Sequence, residues 1–254
     1  MNQLENRNSK AVLYKAPRTD IGQNQGKFRI HTNYPGRLLP DHDDHGYGPL
    51  ARVDEAFLDP GTFVGMHPHQ NDEIISYVPT GVMRHRDRAG KKLIMDADHL
   101  MVMNAGREFW HEEQTLTDDP QLRLLQIFVR PHTADLEPNI QHGPLPNPVA
   151  NEWRHLFGPE ESDAPFYVRN DVNFYDVHLD KGASAGLPVI RGWDTYFYVF
   201  EGKVIANETS FDRTEQGLLV NADELKVTAQ EDTLLVAFLI NPEAQLTYQG
   251  TIGR

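Results

Sequence analysis

Phe57 to Met83 reads FLDPGTFVGMHPHQNDEIISYVPTGVM, and 121 residues further on His178 to Val204 reads HLDKGASAGLPVIRGWDTYFYVFEGKV. The two stretches align without a gap. Identities fall at Leu58/Leu179, Asp59/Asp180, Gly61/Gly182, Gly65/Gly186, Tyr77/Tyr198, Val78/Val199 and Gly81/Gly202. The shared glycines stand where turns are required, which two copies of one fold preserve. The chain therefore reads as an internal duplication.

Outward from the repeat, short apolar runs such as Leu100 to Met103, Leu122 to Val129, Tyr196 to Phe200 and Leu234 to Ile240 end at Gly, Pro, Asn or Asp or at a charged residue. Helical periodicity is weak, and this punctuation is the all-β pattern. Duplicated β-domains manage their sheet edges by closing into barrels or double-sheet jelly rolls. The reading is an all-β chain of two jelly-roll β-barrel domains with few short helices. Residues 1–145 form the first and 146–254 the second. Between the copies, Pro131 to Pro148 carries Pro138, Pro144, Pro146 and Pro148, and reads as an irregular linker with no room for a regular element.

The 254 residues are 39% hydrophobic and 24% charged, an ordinary globular composition with enough chain for a real core. The absence of cysteine excludes disulfides, thiolate metal sites, Fe–S clusters and a cysteine nucleophile. Met1 to Lys10 is polar and lacks the apolar run of a secretory signal, and the longest apolar run is only strand length. These features predict a cytoplasmic protein with no membrane span. A net charge of −13 argues against direct nucleic-acid binding. The cations Arg84, Arg86, Arg88, Lys91 and Lys92 surround an Ala89-Gly90 turn and read as a solvated hairpin.

His67-Pro68-His69 places two imidazoles on one face of a strand. His111-Glu112-Glu113 does the same for His111 and Glu113. Two such pairs on separate strands of one barrel can converge, offering three imidazoles and a carboxylate to a first-row divalent ion. By the same alternation Glu73 falls on the face of His67 and His69. It reads as a fifth ligand, an acid/base, a partner orienting an imidazole, or an inward carboxylate bonded to the barrel. In the second copy Pro188, Ile190 and Asp194 replace His67, His69 and Glu73, so the second barrel reads as degenerate. His42-Asp43-Asp44-His45 reads as an exposed acidic loop. His85 and His99 read as structural or surface residues. No glycine-rich phosphate loop and no Gly-x-Ser-x-Gly is present.

These motifs resemble those of the cupins, and within them the pirin family. The first is Gly61, His67-Pro68-His69, Glu73 and Gly81, and the second is Asn104-Ala105-Gly106-Arg107 followed by Trp110-His111-Glu112-Glu113. Arg84-His85-Arg86-Asp87 with Gly90 is similar to the pirin hairpin between them. The resemblance is specific over Leu58 to Glu113 and looser over the rest. It implies a bicupin whose first barrel binds one metal ion, most often Fe(II), with Mn, Ni, Cu and Zn as alternatives. The implied ligands are His67, His69, His111 and Glu113. It also implies one of two functions. The first is dioxygenation of a flavonol or similar enolisable aromatic with O2, for which Glu113 and Glu73, as positioned carboxylates, read as the acid/base candidates. The second is a non-enzymatic, redox-sensing module that binds a protein partner. Glu108 and Glu112 stand where the family usually has glycine and a small residue, and Gln70-Asn71-Asp72 also departs from its pattern. Extra acid near the rim raises the cost of binding an anionic flavonolate.

Overall fold

The computed structural model describes residues 10–254. Residues 1–9, which carry most of the expectation about a secretory signal, lie outside the described residues. Among those described, the only helical element is a 3-10 turn at Pro35–Leu38, and no helix is long and apolar enough to cross a membrane.

The chain opens with β1 (Val12–Pro17). Eleven strands follow: β2 (Ile21–Asn24), β3 (Phe28–Asn33), β4 (Leu50–Leu58), β5 (Phe63–His69), β6 (Glu73–Thr80), β7 (Met83–Asp87), β8 (Lys92–Met95), β9 (His99–Asn104), β10 (Phe109–Gln114), β11 (Leu122–Val129) and β12 (Asn139–Pro144). The remainder are β13 (Arg154–Pro159), β14 (Phe166–Val168), β15 (Val172–Leu179), β16 (Ser184–Pro188), β17 (Asp194–Glu201), β18 (Lys203–Ala206), β19 (Thr209–Asp212), β20 (Glu215–Val220), β21 (Glu224–Ala229) and β22 (Thr233–Ile240). The duplication is visible strand for strand, since β4 to β11 repeat as β15 to β22. Gly81 and Gly202 hold the same turn at φ 94° and 85°, a region that favours glycine. A Cβ there would meet Leu122 Cα at 2.6 Å and Asp232 O at 2.4 Å.

Each copy is a jelly roll of one small and one large sheet. The first has β5-β10-β7-β8 facing β12-β9-β6-β11-β4-β3-β2. The second has β16-β21-β18-β19 facing β1-β20-β17-β22-β15-β13-β14. Strand β1 thus adds to the second barrel's sheet, pairing Val12 with Val220 through Pro17 with Glu215, although it lies in the stretch expected to form the first.

Alternation along the large-sheet strands builds three apolar layers. On β11, Leu122 and Leu124 point into the first barrel, while Leu125, Ile127 and Val129 point toward the second. The layer between the two large sheets includes Tyr77, Phe157, Phe174, Tyr196, Tyr198 and Phe238. At about 1.5–3 kcal/mol per fully buried large apolar side chain, this shared layer joins the barrels into one unit.

One expectation needs correction. The segment 131–148 is not wholly irregular, because β12 pairs with β9 from Asn139↔Asn104 to Pro144↔His99. The strand lies at a sheet edge and its proline is the last residue, positions that tolerate a missing N–H. The acidic loop is exposed at Asp43 and His45, as expected, and is anchored through Asp44. Asp44 accepts hydrogen bonds from both Nη atoms of Arg130 at 2.6 and 2.7 Å, and Arg130 is itself buried.

Candidate metal centre

The small sheet of the first barrel presents the histidines. Strand β5 pairs with β10 so that His67 stands opposite His111 and His69 opposite Phe109. The register shifts between His111 and Glu113, which brings Glu113 opposite Val64 on one side and His85 of β7 on the other. His111 and Glu113 turn inward while Glu112 turns out, as strand alternation requires.

The candidate ligand atoms of His67, His69 and His111 lie within 4.8 Å of one another, as do those of His85, His111 and Glu113. His111 belongs to both sets, so the expected four residues gather about it. His85 joins them as a buried residue, so of its two readings the surface one fails. Its Nδ1 lies 3.2 Å from Nδ1 of His111. The usable signal was Met83, an apolar residue two positions earlier on the same strand face. Phe109 sits beside the cluster, its ring centroid 6.2 Å from that of His85.

Burial sets the electrostatics. The His111 imidazole is held far below its ordinary pKa by burial and by the neighbouring imidazoles of His67, His69 and His85. Burial also depresses His67, and it takes His85 down to about 4 against the pull of Asp87. Glu113 is pushed up to about 7 by burial, partly offset by a hydrogen bond from Gln126. Burial therefore favours the neutral imidazoles of His67, His85 and His111, the form a metal requires.

Nε2 of His85 and Nε2 of His111 are buried and have no hydrogen-bond partner. Orphaned buried donors and acceptors are rare and call for a partner. Nitrogen-rich donors with one carboxylate suit Fe, Mn, Ni, Cu or Zn, so these residues fit a divalent transition ion. His67 Nδ1 is 2.8 Å from Gly65 O and His111 Nδ1 faces His85, contacts that leave each Nε2 for such an ion.

Glu73 is not brought to this cluster. The turn Gln70 to Asp72, with Asn71 at φ 53°, interrupts the alternation between β5 and β6. Ile74 and Val78 therefore face the first barrel, and Glu73 turns with Ile75 and Tyr77 toward the second. Its Oε1 accepts Arg169 Nε at 2.9 Å and Nη2 at 2.7 Å. Its Oε2 accepts Arg169 N at 3.1 Å and also Asn104 Nδ2. Of its four readings, the one that survives is a carboxylate bonded within the scaffold.

The second barrel has no equivalent cluster among the described residues. Pro188, at the position of His67, pairs with Glu224 instead of a histidine. The barrel is filled by Leu187, Phe197, Phe211 and Leu225.

The sequence profile of the Pirin family matches residues 28–129, and that of the quercetinase C-terminal cupin domain matches residues 156–240. The chain is 22% identical to quercetin 2,3-dioxygenase of Escherichia coli over 78% of its own length and 84% of that protein. It is 25% identical to a pirin-like protein of Caulobacter vibrioides over 85% and 93%. Among solved structures, YhhW from Escherichia coli superposes with a TM-score of 0.79 at 21% identity, covering 90% of this chain and 97% of the other. The nickel(II) complex of the same bacterial pirin gives a TM-score of 0.76 at 21% identity, covering 90% and 99%. Two successive profile matches, one per barrel, and a shared bicupin fold lead to one assignment: this chain belongs to the pirin family.

Proposed function

We propose that the protein is a metal-dependent dioxygenase that acts on a flavonol or a similar enolisable aromatic with O2. The carrying observation is the convergence of His67, His69, His85, His111 and Glu113 in the first barrel. Relatives named quercetin 2,3-dioxygenase support the substrate class. A redox-active divalent ion, Fe(II) first among them, supplies open coordination positions and Lewis acidity toward an enolic hydroxyl.

The chain's own residues supply the rest. His67, His69 and His111 hold the ion, with Glu113 as the carboxylate ligand. Glu113 is also the group proposed to take the hydroxyl proton, on a carboxylate oxygen, as a carboxylate within the cluster. Phe109 and the half-buried Val64 and Leu93 give the interior an apolar wall that excludes water. Glu73 has no part in the chemistry, since Arg169 and Asn104 occupy both of its oxygens.

Oxygen uptake on addition of quercetin tests this reading, with the flavone lacking the 3-hydroxyl as control. Uptake with quercetin alone, lost in His69→Ala, is expected. No uptake by metal-loaded protein with any flavonol would remove it.

One observation favours the binding-module reading. Phe63 and Ile94 are 62% and 50% exposed at the ends of one cross-strand row, Phe63-Gln114-Arg84-Ile94, on the outer face of the small sheet. A groove of about 600 Å³ lies there, lined in part by His85 and Glu112. A protein partner bound there would follow the oxidation state of the ion, and equal affinity in both states would remove this reading.

A further inference from the structure

After β22 the chain leaves the second barrel and returns to the first. Thr247 N donates to Pro131 O at 3.1 Å, and the tail then reaches the turn that follows His69. Thr251 N donates to Gln70 O at 2.9 Å, and Gln70 N donates to Thr251 Oγ1 at 2.8 Å. Ile252 N and Gly253 N donate to the two oxygens of Asp72 at 2.9 and 2.8 Å. Ile252 packs on the cluster of Ala51, Ile74, Met103 and Phe128 that also receives Phe109. The approach is close, since a Cβ on Gly250 would meet Asp72 Oδ1 at 2.3 Å.

Asp72 is fully buried, and its Oδ2 lies 3.8 Å from Nδ1 of His69. That nitrogen is buried and has no hydrogen-bond partner. An ionised carboxylate offers about four lone-pair sites, so two backbone amides leave room for a third donor. A metal-binding imidazole normally gives its other N–H to such an oxygen, which fixes its orientation. The tail holds Asp72, and Asp72 faces His69.

We propose that residues 251–253 and Asp72 together form a positioning element for His69. The tail of a barrel that carries no ligands of its own thereby sets the metal affinity of the other. This inference rests on the metal reading of the cluster.

Nickel(II) affinity, measured by competition with a chromophoric chelator, tests it. The proteins are the full chain, Asp72→Asn, Asp72→Ala, a chain lacking residues 251–254, and the last two changes combined. Asp72→Ala and the shortened chain are each expected to bind about 10–100-fold more weakly. Asp72→Asn, which keeps one acceptor oxygen, falls between. The combined variant is expected to be no weaker than the weaker single one, because both changes act through one contact. The shortened chain also loses the Ile252 packing and the Gly253 carbonyl that accepts Arg130 Nε, so the isosteric Asp72→Asn carries the test if Asp72→Ala or the shortened chain fails to fold. Full-chain affinity in the shortened protein, or losses that multiply in the combined variant, would overturn the proposal alone. A full chain that binds no nickel would overturn the metal reading and this one with it.

Discussion

The Tyr77 hydroxyl donates to Asp176 Oδ2 at 2.7 Å across the two large sheets. Its counterpart 121 residues on, Tyr198, donates to Glu55 Oε2 at 2.7 Å in the opposite direction. Glu55 and Asp176 are themselves 121 residues apart. Each acid is buried and bound to guanidinium groups, Glu55 by Arg123 and Arg18 and Asp176 by Arg154. The duplication is therefore preserved in the polar contacts between the barrels as well as in their turns. The interface is symmetric although the second copy has Pro188 and Ile190 where the first has His67 and His69.

Tyr77→Phe and Tyr198→Phe should each remove one charge-assisted hydrogen bond and lower unfolding stability by about 1–3 kcal/mol. Denaturant titration checks this, and metal content should stay unchanged in both variants.

Glu73→Gln and Glu113→Gln should separate structure from chemistry. Loss of the Glu73 charge leaves Arg169 buried without its partner and should cost about 3–5 kcal/mol of stability. Oxygen uptake per bound metal should persist there. In Glu113→Gln uptake should fall about 10²–10⁴-fold if Glu113 is the base. Parallel melting curves and oxygen-electrode rates decide between them.

His85→Ala should weaken metal binding about 10–100-fold, because it removes the group that faces Nδ1 of His111. His85→Gln, which keeps a hydrogen-bonding side chain, should recover part of the loss in the same titration.

Glu113 also predicts a pH dependence of the metal-free protein. Its folded pKa of about 7 lies above the unfolded value, so the folded state binds the extra proton. Its stabilising contribution is complete below the unfolded pKa of about 4.3 and is lost as pH rises through about 7. Relative to Glu113→Gln, the wild type should thus lose a few kcal/mol between these limits. Unfolding free energies of the two metal-free proteins across pH 4 to 8 test the sign.

Much of this was legible in the sequence because strand chemistry is local. His67, His69, His111 and Glu113 followed from alternation on two uninterrupted strands, and the barrels followed from glycines in register. What failed depended on contacts that local pattern does not carry. Glu73 was misplaced because a turn at Asn71 broke the count between strands. His85 had no paired histidine on its own strand to mark it, since its neighbour His111 lies 26 residues away across the sheet. The strand β1 crossed to the other barrel, and the tail crossed back to Asp72, through pairings about 200 and 180 residues apart that no periodicity announces.

The metal reading turns on His111, which belongs to both ligand sets of the first barrel, and metal content reports on it. Elemental mass spectrometry of untagged protein, reconstituted anaerobically with divalent ions, should give close to one metal per chain. His111→Ala, which disrupts both overlapping ligand sets, should retain none. No metal in the wild type, or an equal amount in the variant, would contradict the account.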